Sequence, residues 1–187
     1  MRKLMVAVWM MIAGTCLAQQ IDLKSLDQFA AKAKSKTEIN MDESMVKSAS
    51  EFLNQEKKDE AAVKKTAKDL KGLFLRSYEF DQSGVFRLED LKPLLDQLKS
   101  PNWTSFLRNQ ESGEQTEIWF HRTNGQTDGF LLIAAESKEI TVINAIGLTG
   151  LQDLSSLGAL GNFALESAAR PAPKPAPRPE GQKNEDN

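Results

Sequence analysis

Phe130-Leu131-Leu132-Ile133-Ala134-Ala135-Glu136, followed after Ser137-Lys138-Glu139 by Ile140-Thr141-Val142-Ile143-Asn144-Ala145-Ile146, decides the fold of this chain. Both runs are rich in aliphatic and β-branched residues, which fit a pleated, buried surface. The polar link at Ser137-Lys138 is too short for a crossover, so the two runs form an antiparallel hairpin. Their near-continuous apolar content places this hairpin in the middle of a sheet.

Working outward, Trp103 to Arg108 and Thr116 to Arg122 read as two more strands. In the second, Ile118 and Phe120 alternate against Glu117, Trp119 and His121, so the two sets face opposite sides of the sheet. Asn124-Gly125 is a turn signal, set in a loop longer than a two-residue hairpin. Leu73 to Phe80, after Gly72, is a further strand, and Glu38 to Met41 a short one.

Helical spacing marks the rest. Leu23, Leu26 and Phe29 or Ala30 define one face of a helix over Ile21 to Ala33. Asn40 with Glu43 three residues on resembles a capping box, opening a helix with Met45, Val46, Ala49, Phe52 and Leu53 on one face. Asp59 to Leu70 is a second helical stretch. Leu91, Leu94, Leu95 and Leu98 mark another, which accommodates Pro93 in its first turn. Leu148, Leu151, Leu154, Leu157 and Leu160 predict a closing helix that lies back on the sheet. The expected fold class is α+β: a mostly antiparallel sheet of about five strands with helices packed on it.

The two ends have different compositions. Arg2-Lys3, the apolar run Leu4 to Gly14, and Cys16-Leu17-Ala18 with small residues at −3 and −1 read as a signal peptide cleaved before Gln19. The run is too short to span a bilayer. The alternative is a lipoprotein, with Cys16 as its acylated first residue. Prolines 171, 173, 175, 177 and 179 alternate with Ala, Lys and Arg ahead of a polar end, which predicts a disordered or polyproline-type tail over 169–187. The expected division is a signal peptide at 1–18, one domain at 19–168 and the tail. Within the domain, 21–70 is helical, 71–147 sheet-forming and 148–166 the closing helix.

Charge and cysteine content narrow the function classes. The whole chain carries 24 basic and 26 acidic residues, a net charge of −2. Loss of Arg2 and Lys3 with the signal takes it to −4, which disfavours nucleic-acid binding. The same cleavage removes the only cysteine, leaving neither disulfide nor thiol chemistry.

Leu70 to Gly158 is similar to the bacterial family called domain of unknown function 4252. The resemblance rests on the strand Leu73 to Phe80 followed by a Leu-rich helix, on Trp103 opening the next strand, and on the closing runs Gly129 to Ala134, Ile140 to Gly147 and Leu151 to Leu154. It implies a small exported protein of the bacterial envelope, and it supplies no activity and no site residue.

Individual motifs carry little chemistry. Glu79 to Asp90 falls on the twelve-residue calcium-loop template with Gly84 at the sharp turn, but Glu79 and Asp90 stand where Asp and Glu belong. The competing reading is a strand ending in an Asp-Gln-Ser-Gly turn. His121 is the only histidine, and catalysis by it needs an orienting partner and a nucleophile. No Gly-x-Ser-x-Gly elbow accompanies it, so it reads as a partly exposed sheet histidine. Lys57, Lys64, Lys68 and Lys71 form a basic stripe at helical spacing, either a solvated face or a contact for an anionic surface. Trp119, opposite Ile118 and Phe120, is a candidate contact residue unless a helix covers that face. Asn102-Trp103-Thr104 matches a glycosylation acceptor by coincidence.

No residue is therefore assigned a catalytic, cofactor-binding or metal-ligating role, and no cofactor is expected. The favoured function class is a non-catalytic envelope or periplasmic module that binds a protein or envelope partner. The alternative is a hydrolase-like enzyme using carboxylates with His121.

Overall fold

The computed structural model describes residues 20–51 and 58–149. Phe52, Leu53, Lys57, the expected signal peptide with Cys16, the expected closing helix beyond Thr149 and the proline-rich tail lie outside them.

The predicted hairpin forms as read. β5 (Gln126–Glu136) and β6 (Glu139–Ile146) pair antiparallel, with Leu131 opposite Asn144 and Ile133 opposite Val142. They sit inside a six-stranded, wholly antiparallel sheet of order β1-β2-β6-β5-β4-β3. β1 is Ser35–Asp42, β2 Gly72–Glu79, β3 Trp103–Glu111 and β4 Glu114–Thr123.

The expectation of about five strands is corrected to six, and the helical reading of 21–70 is corrected with it. The expected short strand is the middle of an eight-residue strand, β1, which pairs along its whole length with β2. Its inner residues Thr37, Ile39 and Met41 recur every second position, a strand period rather than a helical one. Met45 then receives its cap from Asp42, whose Oδ1 accepts the Met45 N–H at 2.9 Å. Asn40 belongs to β1 and accepts from Arg76 instead. α1 (Glu43–Glu51) buries Val46 and leaves Met45 exposed. α2 (Lys58–Ala67) leads into β2.

The expected helix over 21–33 is also shorter. Residues 20–33 form a strap with a 3-10 helix at Lys24–Phe29. Leu23, Leu26 and Phe29 are buried at intervals of three, the period at which 3-10 side chains eclipse. Asn144 explains its place in an apolar strand: its Oδ1 accepts the Ile21 N–H and its Nδ2 donates to the Phe130 carbonyl, fastening the strap to the sheet. Asp22 and Gln97 exchange a second pair of bonds between the strap and α3 (Lys92–Gln97). Pro93 stands in the first turn of α3, as its missing N–H requires.

Each face of the sheet carries a core. The strap, α3 and the 3-10 turn Leu88–Leu91 cover Tyr78, Leu131, Ile133, Ile140 and Val142. On the opposite face, Val46, Ala67, Leu70 and Leu148 pack with Leu73, Phe120, Phe130 and Ala145.

The three hairpins β3–β4, β4–β5 and β5–β6 are all closed by two residues. Ser112-Gly113 and Asn124-Gly125 have positive φ at both positions, matching primed turns. The longer loop expected around Asn124-Gly125 is thus corrected. A register shift between His121 and Arg122 lets both strands run up to the turn.

Candidate functional site

β4 carries a polar row on the face covered by α3: Gln115, Glu117, Trp119 and His121, spaced by two. Sequence alternation already placed Glu117, Trp119 and His121 together, opposite Ile118 and Phe120. Their burial was not legible from alternation. Glu117 and His121 are each only 1% exposed.

Glu117 is held by three donors. Gln115 Nε2 donates to its carboxylate at 2.5 Å, Trp119 Nε1 at 2.6 Å, and Arg108 Nε of β3 lies 2.9 Å away. The Arg108 guanidinium also lies over the Trp119 ring at 5.5 Å. Trp119 is therefore half-buried, packed against the core and roofed by a side chain of the neighbouring strand.

His121 departs from the expected partly exposed sheet position. Its Nδ1 lies 2.7 Å from Asp128 Oδ1, and its ring meets the Trp103 indole edge-on at 5.1 Å. Gly129 sits directly opposite, where an added Cβ would come within 3.0 Å of the His121 Cβ. Sequence gave no sign of Asp128, because the pairing depends on the β4–β5 bulge. The histidine thus has the orienting carboxylate that catalysis requires. Its Nε2 is buried and makes no hydrogen bond to any of the described residues, hydroxyls included.

The remaining motifs separate. Glu79 ends β2 opposite Glu139, and Asp90 Oδ2 accepts the Arg87 N–H at the start of the 3-10 turn. The calcium-loop template is a strand end and a turn, with Gly84 at φ +78°. Lys64 and Lys68 border a shallow hollow beside α2. Lys71 lies past the helix end, and its N–H donates to the Ile146 carbonyl. Asn102 immediately precedes β3, its carbonyl accepting the Arg122 N–H.

The edge strand β3 holds what sequence reasoning missed. Simple alternation puts Phe106 and Leu107 on opposite faces. A bulge between Ser105 and Leu107 instead brings Leu107 opposite Ile118 and Phe106 edge-on to Phe120 at 5.3 Å. Both apolar side chains are open to solvent, Phe106 at 56% and Leu107 at 39%.

A family model described as a domain of unknown function (DUF4252) matches residues 29–157. No curated protein matches the chain. The match runs from the end of the strap through every strand of the sheet, and on it the chain belongs to the family called domain of unknown function 4252.

Proposed function

We propose that this protein is an exported, non-catalytic interaction module of the bacterial envelope, and that it meets a polypeptide partner along the β3 edge. The outer edge of β3 carries the reading. Among the described residues the nine-residue strand β3 pairs on one side only, with Phe106 and Leu107 exposed side by side. An unpaired edge offers main-chain donors and acceptors to an added strand, and adjacent apolar side chains give that strand something to select. The opposite edge, β1, is guarded by Lys36 and Glu38.

Export rests on the sequence of Met1 to Ala18. It fits a fold in which Ile21, soon after the expected cleavage point, is already buried. Among the described residues no helix is long and apolar enough to cross a membrane.

The test is site-specific photocrosslinking of the full chain in its own envelope, with the crosslinker at position 106, 107 or 36. A partner captured from 106 and 107 but not from 36, and lost on Leu107→Asp, supports the reading. Equal capture from all three positions, or none from β3, overturns it. Fractionation of the same cells checks export: the chain must be found outside the cytoplasm and shortened at its N-terminus.

A further inference from the structure

The strap and the sheet leave between them a cavity of about 450 Å³. Residues 20–24 form one wall, with Asn40, Phe74 and Arg76 on the other. Arg76 lies in mid-β2, opposite Glu38 on one side and Val142 on the other, and its side chain is only 14% exposed.

The guanidinium is incompletely satisfied. Arg76 Nη1 donates to Asn40 Oδ1 at 3.0 Å and to the Leu75 carbonyl at 2.9 Å, both neutral acceptors. Its buried Nε is ion-paired with the Glu38 carboxylate at 3.6 Å, and among the described residues it makes no hydrogen bond. Ser25 Oγ, on the strap just past the cavity wall, is likewise buried and makes no hydrogen bond among the described residues. Glu38 supplies one anion but not the hydrogen bond, and a sunken cation is costly until its donors are satisfied. Arginine's planar fork suits a carboxylate in particular.

The other walls narrow the ligand class. Phe74, Ile21 and Leu23 are apolar, and Lys24 adds a second cation. The acid in the lining, Asp22, is exposed, so solvent screens its charge, and its Oδ1 accepts the Lys24 N–H at 2.9 Å. We infer that this cavity binds a small organic carboxylate with an apolar body, the carboxylate on Arg76 and the body against Phe74. The site is separate from the β3 edge and stands or falls without it.

The experiment titrates the full exported chain with octanoate, benzoate and a short peptide ending in a free leucine carboxylate. Octanamide and the amidated peptide are the controls. Amide shifts in two-dimensional NMR at Ile21, Leu23 and Phe74 report the site, and the melting temperature reports linkage. Carboxylates shift these resonances and raise the melting temperature, while the amides do neither. Arg76→Gln weakens binding about tenfold or more, as loss of a charge-assisted bond requires. If that variant fails to fold, Lys24→Ala, at an exposed position, still weakens binding by a smaller factor. Preference for octanoate points to a free acid, and preference for the peptide to a chain terminus. Silence of all carboxylates at millimolar concentration, equal binding of the amides, or shifts confined to other residues overturns the inference.

Discussion

The imidazole of His121 meets the carboxylate of Asp128 at 2.7 Å across the β4–β5 bulge, buried beneath the Trp103 indole. The Asp128 carbonyl also accepts the Gly147 N–H at 2.7 Å, so one residue holds both the histidine and the end of β6. Asp128→Ala leaves Nδ1 as bare as Nε2 already is. It is expected to cost about 2–3 kcal/mol, the range for a buried polar group stripped of a charged partner. Urea denaturation measures it, and a loss below about 0.5 kcal/mol would show the pair to be incidental.

Glu117 is the second polar anchor, and its variants separate charge from hydrogen bonding. Glu117→Ala abandons the Gln115 and Trp119 donors and the Arg108 cation together, and is expected to cost about 3–5 kcal/mol. Glu117→Gln keeps an acceptor for one or two of them and costs less. Arg108→Ala leaves the buried Glu117 carboxylate with two neutral donors and no cation, and is expected to cost about 3 kcal/mol. Equal losses for the two Glu117 variants would contradict this ranking.

How far sequence reached follows from the range of each interaction. The β5–β6 hairpin was legible because apolar runs and a two-residue link are local facts. The shared side of Glu117, Trp119 and His121 was legible because strand side chains alternate. Burial of that row was hidden, because Arg108, Trp103 and Asp128, which enclose it, come from neighbouring strands. The two bulges were hidden for a related reason. An extra residue in one strand is defined only by its partner, and one bulge pairs His121 with Asp128 while the other exposes Phe106 beside Leu107. The Arg76 cavity needed the strap to lie across β2, which local periodicity could not reveal.

Tyr78 gives the fold an alkaline limit. Burial, reinforced by the negative charges of Asp27 and Glu38, pushes its hydroxyl up to about 12. An unfolded tyrosine ionises near pH 10. Between those values the folded chain holds a proton that the unfolded chain has released, so stability falls as pH rises through this window. Because Tyr78 is the only tyrosine, absorbance at alkaline pH reports it alone. The expected result is little phenolate below pH 11 in the folded chain; a midpoint near 10 without unfolding would contradict it.

Phe106→Asp tests whether the exposed pair on β3 serves stability or contact. Phe106 is 56% exposed, and among the described residues its one aromatic contact is Phe120. Its removal is expected to change stability by less than about 1 kcal/mol, as at other half-open surface positions.

Gly147 tests the backbone at the end of the sheet. Its φ is +95°, and an added Cβ would lie 2.3 Å from the Asp69 carbonyl oxygen and 2.9 Å from the Lys71 nitrogen. Both obstacles are main chain, in the segment joining α2 to β2, and Lys71 is tied to Ile146 by a hydrogen bond. Neither can rotate away as a side chain would. Gly147→Ala therefore combines left-handed strain with a clash, and is expected to cost about 2–4 kcal/mol. Thermal unfolding measures the loss. Hydrogen exchange locates it: protection should fall first at Lys71 and Gly147, whose N–H groups bond across this junction, and least at Leu131 and Ile133 in the sheet centre.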